Sequence, residues 1–142
     1  MLARDIMQTV LVTAREGDTA ARVVDLFQER HVHSAPVIDK EGNLVGMVSQ
    51  EDILIGSMSV ADVAAGDENR ETGLGKTIIR DIMTSPAIHA IENTPVRDLC
   101  LMMWRFRIHH VPIVRGRENL AVIGIVSSLD VCRVVSENRV LD

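Results

Sequence analysis

The chain has 142 residues, 46% of them hydrophobic and 25% charged, with a formal net charge of −5. That composition belongs to one globular domain or two small units sharing a core, and no apolar run approaches the roughly 18–20 residues that cross a bilayer. Without a basic cluster there is nothing to hold a nucleic-acid backbone, and Phe27, Trp104 and Phe106 are too few for base-stacking platforms.

The first segment, MLARDIMQTV, lacks the charged-then-apolar layout of a secretory leader, so the expected location is cytoplasmic. RDIM (4–7) reads as a short helical lead and Val10–Val12 as a strand. Thr19–Glu29 has helical spacing, with Asp18 or Thr19 as N-cap. Two strands follow, one at Pro36–Ile38 and one at Leu44–Val48, joined by the Gly42-Asn43 turn, and a helix starts at Ser49. Residues from Ile55 to Thr77 read as a linker, in which SVADVAA (59–65) is expected to make a turn or two of helix and GDENRETGLGK (66–76) to be mobile. RETGLGKT (70–77) ends like a phosphate-binding loop, but Arg70 stands where the first glycine belongs and no buried strand precedes it; a flexible linker is the preferred reading.

The order then repeats. RDIM returns at 80–83, VHSAPVI (32–38) is answered by IHHVPIV (108–114), and GMVSQEDIL (46–54) by GIVSSLDVC (124–132), at spacings of 76, 76 and 78 residues. Ile88–Ile91 reads as a strand, and Asn93-Thr94-Pro95 as a cap with proline in the first helical turn. The helix Pro95–Phe106 is apolar at 96, 99–104 and 106, more than one core stripe needs. Its second side would face a second chain, giving a homodimer, or a tightly packed monomer core. Cys100 and Cys132 lack CxxC spacing and are expected to be buried, reduced thiols. The fold expected is therefore α+β: two β-α-β-β-α repeats, residues 1–58 and 79–142, joined by a linker at 59–78. A unit of about 50 residues buries too little to be stable alone, so the copies should pack together.

The duplicated junction Gly-x-Val-Ser-x-x-Asp carries the candidate chemistry. Ser49 with Asp52, and Ser127 with Asp130, have the spacing of an N-cap and its acidic N3 partner, which serves a purely local purpose. The same geometry also suits a nucleotide. A helix N-terminus offers free N–H groups to phosphate, and a carboxylate, which repels phosphate, accepts instead from paired ribose hydroxyls.

These motifs together resemble a pair of cystathionine β-synthase (CBS) domains, a likeness that covers nearly the whole chain and leaves no room for an attached catalytic domain. The resemblance implies a stand-alone Bateman module of two pseudo-twofold-related repeats that binds an adenosine-containing ligand, AMP, ADP, ATP or S-adenosylmethionine, between the repeats. It also implies a homodimer that regulates an unidentified partner protein. It places Asp52 and Asp130 on ribose hydroxyls, Ser49 and Ser127 beside ribose or phosphate, and His33 and His109 toward phosphates. Thr9-Val10 and Ser85-Pro86-Ala87 would line the base. Where the family often has glycine this chain has His31 and Arg107, so the preceding loop is expected to differ in shape. Glu51 adds a second carboxylate beside Asp52, whereas Arg107, His109, His110 and Arg133 lie near Asp130, which favours the Asp130 site for an anionic nucleotide. The histidines match no metal-ligand spacing and no catalytic constellation stands out, so neither a metal nor an enzymatic activity is expected. The rival reading is a ligand-free dimerisation and protein-interaction module.

Overall fold

A computed structural model describes residues 1–57 and 70–137; the expected short helix at 59–65 lies outside them. The chain divides into two compact units that do not follow the sequence repeats. One, here the first-repeat unit, comprises Val12–Lys40 and Val45–Ala87; the other, the second-repeat unit, comprises Met1–Leu11, Glu41–Leu44 and Ile88–Asp142.

In the first-repeat unit a short strand β1 (Ala14–Arg15) leads into α2 (Ala20–Arg30), the helix α1 lying in the other unit. Strands β2 (Ser34–Ile38) and β3 (Leu44–Ser49) follow, then helices α3 (Gln50–Ser57), α4 (Arg70–Lys76) and α5 (Ile79–Ile82). The sheet order is β1-β2-β3, with β1 parallel to β2 and Ala14 opposite Val37. The strand expected at Val10–Val12 is not formed; the chain there is irregular and the strand begins at Ala14, which packs fully buried in the core with Val23, Phe27, Val37, Val48 and Ile79. Thr19 caps α2 by accepting from the Arg22 N–H, and Gly42 takes the turn at φ 84°. Of the stretch expected to be mobile, 66–69 lies outside the described residues and the rest is helical: α4 spans Arg70–Lys76 and ends where Thr77 bonds the Gly73 carbonyl through both its N–H and its hydroxyl. A helix there removes the open loop that a phosphate cradle needs, which settles RETGLGKT as a structural segment.

The second-repeat unit is built from α1 (Ala3–Ile6), β4 (Ala90–Ile91), α6 (Val96–Phe106), β5 (His110–Val114), β6 (Val122–Ser127) and α7 (Ser128–Ser136). Its sheet runs β4-β5-β6, parallel then antiparallel, and the β5–β6 register slips between Ile113 and Val114. Pro95 is itself the N-cap of α6 rather than its first-turn residue. The N–H of Val96, buried and without an intrahelical acceptor, donates to the Met1 carbonyl, while Thr94 Oγ1 accepts from Ile91 N–H instead of capping the helix.

Each RDIM lead docks on the unit of the other copy. Ala3 and Ile6 of α1 are buried with Leu99, Val111 and Val126, and Ile79 of α5 with Val23 and Val48. Backbone bonds hold them: Ala3 N–H to Thr94 O and Gln8 N–H to Ile125 O on one side, Ile79 N–H to Asp18 O and Thr84 N–H to Met47 O on the other. An isolated four-residue helix is unstable in water, so the leads exist because their apolar residues are buried here.

Candidate ligand-binding site

Both junctions are built as reciprocal capping boxes. Ser49 N–H donates to Asp52 Oδ2 at 2.8 Å, and Asp52 N–H donates to Ser49 Oγ at 3.1 Å. In the second copy Ser127 N–H donates to Asp130 Oδ2 at 2.8 Å and Asp130 N–H to Ser127 Oγ at 3.2 Å. The local, capping role of these residues is thus real in both units. The backbone carbonyls of His33 and His109 take up the next donors, accepting from Gln50 and Ser128 N–H respectively, and their imidazoles are exposed.

The strand leading into each junction pairs with the segment that follows the opposite copy's lead. Gln8 pairs antiparallel with Ile125, and Thr84 pairs antiparallel with Met47 at the equivalent register. Such close approach requires glycine on the facing strand: a Cβ on Gly46 would lie 2.9 Å from the Thr84 carbonyl oxygen, and one on Gly124 would lie 3.2 Å from that of Gln8. The Ser85 hydroxyl bonds Val45 O at 2.8 Å, Pro86 is exposed and Ala87 is 7% exposed. The structure therefore brings Ser49, Asp52, Ser85, Pro86 and Ala87 into one unit, and Gln8, Ser127, Asp130, His109 and Arg133 into the other.

The two carboxylates differ in what already holds them. Asp130 is 8% exposed and accepts from three side-chain or backbone donors: Ser127 N–H, Ser127 Oγ–H at 2.9 Å, and Gln8 Nε2–H on Oδ1 at 3.0 Å. Asp52 is half-buried and its Oδ1 has no partner among the described residues. Gln8 was not legible as a site residue; the signal lay in the first position after the repeated RDIM, glutamine in one copy and threonine in the other. Of the cations expected near Asp130, Arg133 lies 3.8 Å from Glu137, and Arg107 stacks 4.8 Å over the Trp104 ring.

His31 and Arg107 both sit at φ 56°, each ending its helix in the left-handed conformation and donating its N–H to Phe27 O and Met103 O. The loops thus keep the shape glycine gives, contrary to the different shape expected from these residues. Cys132 is exposed rather than buried, and Cys100 is half-buried. An open depression of about 490 Å³ along α2 is lined by Val24, Phe27, Gln28, His31, His33 and Gln50; its wall includes neither Ser49 nor Asp52. Among the described residues no group of three His, Cys, Asp or Glu side chains is placed to hold a metal ion, and no helix is long and apolar enough to cross a membrane.

Two α+β units, each with a carboxylate-capped strand-to-helix junction braced by a lead from the opposite copy, define a tandem-repeat module. The chain belongs to the CBS domain family, whose model matches residues 3–59 and 79–137. It is similar to the L-aspartate semialdehyde sulfurtransferase of Methanocaldococcus jannaschii, 28% identical over 94% of this chain and 23% of that protein. It is also similar to the homoserine O-acetyltransferase of Methanococcoides burtonii, 31% identical over 92% of this chain and 23% of that protein. The chain thus spans about a quarter of the length of these two curated relatives, whereas it covers 88% of the uncharacterized protein MJ1426 of Methanocaldococcus jannaschii at 28% identity. Among solved structures it matches the CBS domain pair of protein MJ0100 in complex with 5′-methylthioadenosine and S-adenosyl-L-methionine, with a TM-score of 0.77, 26% identity and 98% of each chain covered. It matches the CBS domain of a CBS domain containing membrane protein from Sphaerobacter thermophilus equally well, at a TM-score of 0.77 and 27% identity, covering 100% of this chain and 90% of that one.

Proposed function

We propose that this CBS pair binds an adenosine-containing small molecule, AMP, ADP, ATP or S-adenosylmethionine, and acts as a regulatory module without catalysis of its own. The observation that carries the reading is the Asp52 junction: a half-buried aspartate at a helix start whose Oδ1 has no partner among the described residues, in the unit that also holds Ser85–Ala87. A vicinal diol supplies the donors that such an oxygen lacks, and the junction's Ser49 supplies a further polar contact. The related pair crystallised with 5′-methylthioadenosine and S-adenosyl-L-methionine supports the ligand class. In this reading Asp52 and Asp130 take ribose hydroxyls, Ser49 and Ser127 lie beside ribose or phosphate, and Pro86 and Ala87 line the base. His33, His109 and Arg133 supply positive charge or donors toward phosphates. Ligand binding shifts a conformational equilibrium that a separate, cytoplasmic partner protein reads.

Homodimerisation belongs to the same proposal. Leu101 is 56% and Trp104 70% exposed on α6, an apolar face that a second copy would cover. Sedimentation velocity should give a dimer at tens of micromolar, and Leu101→Glu with Trp104→Glu should give a folded monomer; a monomeric native chain would refute this part. The exposed face also favours the second reading, a ligand-free interaction module. Thermal unfolding against AMP, ADP, ATP, S-adenosylmethionine and 5′-methylthioadenosine separates the two. A ligand at 100 times its Kd adds about 2.7 kcal/mol, and Asp52→Asn should abolish part or all of the shift. No shift with any of the five leaves the interaction module standing.

A further inference from the structure

We propose that Gln8 ranks the two adenosine half-sites, holding the Asp130 carboxylate in reserve so that the Asp52 junction fills first. The inference rests on the adenosine reading above and reverses the order that the charges alone favour. The two units offer a controlled comparison, because Gln8 faces Ile125 at the register where Thr84 faces Met47, and both pairs exchange backbone bonds in both directions. The capping boxes share their two backbone bonds, and Ser127 Oγ–H adds a third on Asp130 Oδ2, the oxygen the cap already uses. At Oδ1 the difference lies in the reach of one side chain: Gln8 Nε2–H reaches Asp130 Oδ1 at 3.0 Å, whereas Asp52 Oδ1 remains without a partner among the described residues.

A ribose diol must donate to the carboxylate. At Asp52 it meets an acceptor with open capacity, at Oδ1. At Asp130 it meets one oxygen taken by Gln8 and the other by two donors from Ser127, so binding exchanges one charge-assisted hydrogen bond for another. The gain that remains is the smaller one at Asp130. Nor do the neighbouring cations restore the balance, since Arg133 is 3.8 Å from Glu137 and Arg107 lies over Trp104. A hydrogen bond to a charged group, discounted because Gln8 is exposed, corresponds to about tenfold in affinity.

The test is calorimetric titration of the full chain with 5′-methylthioadenosine, a neutral probe that isolates the diol from phosphate charge, and then with AMP. The native chain should bind in two steps about tenfold apart, and Asp52→Asn should remove the tighter one. Gln8→Thr, which copies the other unit, should bring the weaker step to within a few-fold of the tighter, and Gln8→Ala should do the same without adding a hydroxyl. Thr84→Gln should weaken the tight step. If Gln8→Thr or Gln8→Ala leaves the weak step unchanged or weakens it, while the native chain binds, the ranking role is overturned and the adenosine reading survives. If neither the native chain nor any variant binds either probe, both are overturned together. Binding by Gln8→Thr alone would overturn the ranking, because the Asp52 junction, which Gln8 does not reach, should already have bound in the native chain.

Discussion

Replacing Gly46 by alanine tests whether the lead of one copy is locked against the strand of the other. At an unstrained position without a positive φ, Gly→Ala normally stabilises by about 0.4–1 kcal/mol through the unfolded state. At Gly46 the added Cβ would lie 2.8 Å from Met83 Sδ, 3.1 Å from Met83 Cγ and 2.9 Å from the Thr84 carbonyl oxygen. The methionine can swing aside, but the carbonyl is part of the Met47–Thr84 bridge and moves only if that bridge opens. Overpacking of this kind costs about 1–3 kcal/mol, leaving a net loss of about 1–2 kcal/mol once the usual gain is subtracted. With about 2–4 °C per kcal/mol for a chain of this size, the midpoint should fall by about 2–8 °C. Gly124→Ala should lose less, because its shortest contacts, 2.5 and 2.9 Å, are to the Met7 side chain and the Gln8 carbonyl lies at 3.2 Å. Guanidinium unfolding followed by circular dichroism reads both variants. A Gly46→Ala chain as stable as the native one, or a Gly124→Ala chain hurt more, would show that the leads are not docked as described.

Three further outcomes follow from the same geometry. His31→Gly should stabilise by about 0.5–1 kcal/mol, since a left-handed non-glycine residue costs about 1–2 kcal/mol and glycine returns part of that in the unfolded chain. Arg107→Gly should be close to neutral because it also gives up the stack on Trp104, worth about 0.5–1 kcal/mol; a larger gain at Arg107 than at His31 in chemical denaturation would contradict this. Iodoacetamide at pH 8 should label exposed Cys132 well before Cys100, whose thiol is pushed up by burial and only partly brought back by its own backbone hydrogen bond. The folded chain prefers the protonated Cys100 thiol, so the stability this contributes is full below the unfolded thiol range and is lost as pH rises through the folded value; peptide mass spectrometry across pH 7–10 would expose the opposite order. Asp130→Ala should destabilise more than Asp52→Ala by about 1–2 kcal/mol, because it abandons three donors where Asp52 abandons one; equal losses in thermal unfolding would mean that the Gln8 bond contributes nothing.

Much of the fold was legible because the chain writes it twice. A helix such as α2 announces itself through 3.6-residue spacing and a Thr19 cap, and β2 and β3 through apolar runs around the Gly42 turn, all local signals. What local signals cannot carry is which copy a segment packs on. RDIM at 4–7 precedes the first repeat along the chain, yet Ile6 is buried against Val111 and Val126, while Ile79 is buried against Val37 and Val48. The shared motif RDIM is the same in both leads and selects no partner; the residues before it differ, Ala3 in one copy and Ile79 in the other. The strand expected at Val10–Val12 is absent for a related reason: an apolar run alone does not fix burial, Val10 is 81% exposed, and the strand is placed by Ala14, which fits fully inside the core. Pro95 lies one residue outside the expected position, at the N-cap, and the N–H of Val96 that follows it donates to the carbonyl of Met1, a residue remote in sequence.

The candidate site divides along the same line. The Ser-x-x-Asp pairs were legible because a capping box needs those residue types at that spacing, whatever else they do. That requirement also limits what the sequence can say, since a carboxylate kept for a helix start looks identical to one kept for a ligand. The distinction lies in the second oxygen. A cap uses Oδ2 in both copies, and the fate of Oδ1 is decided by the segment that crosses from the opposite lead, threonine on one side and glutamine on the other. Duplication therefore supplies two helix caps of one design, and the crossing of the leads makes them unequal: a single side chain, remote in sequence from the carboxylate it reaches, leaves one acceptor open and satisfies the other. Any asymmetry in ligand binding that this chain shows should trace to that crossing before it traces to net charge, because surface cations already engaged with Glu137 and Trp104 are weak determinants compared with a hydrogen bond to the carboxylate itself.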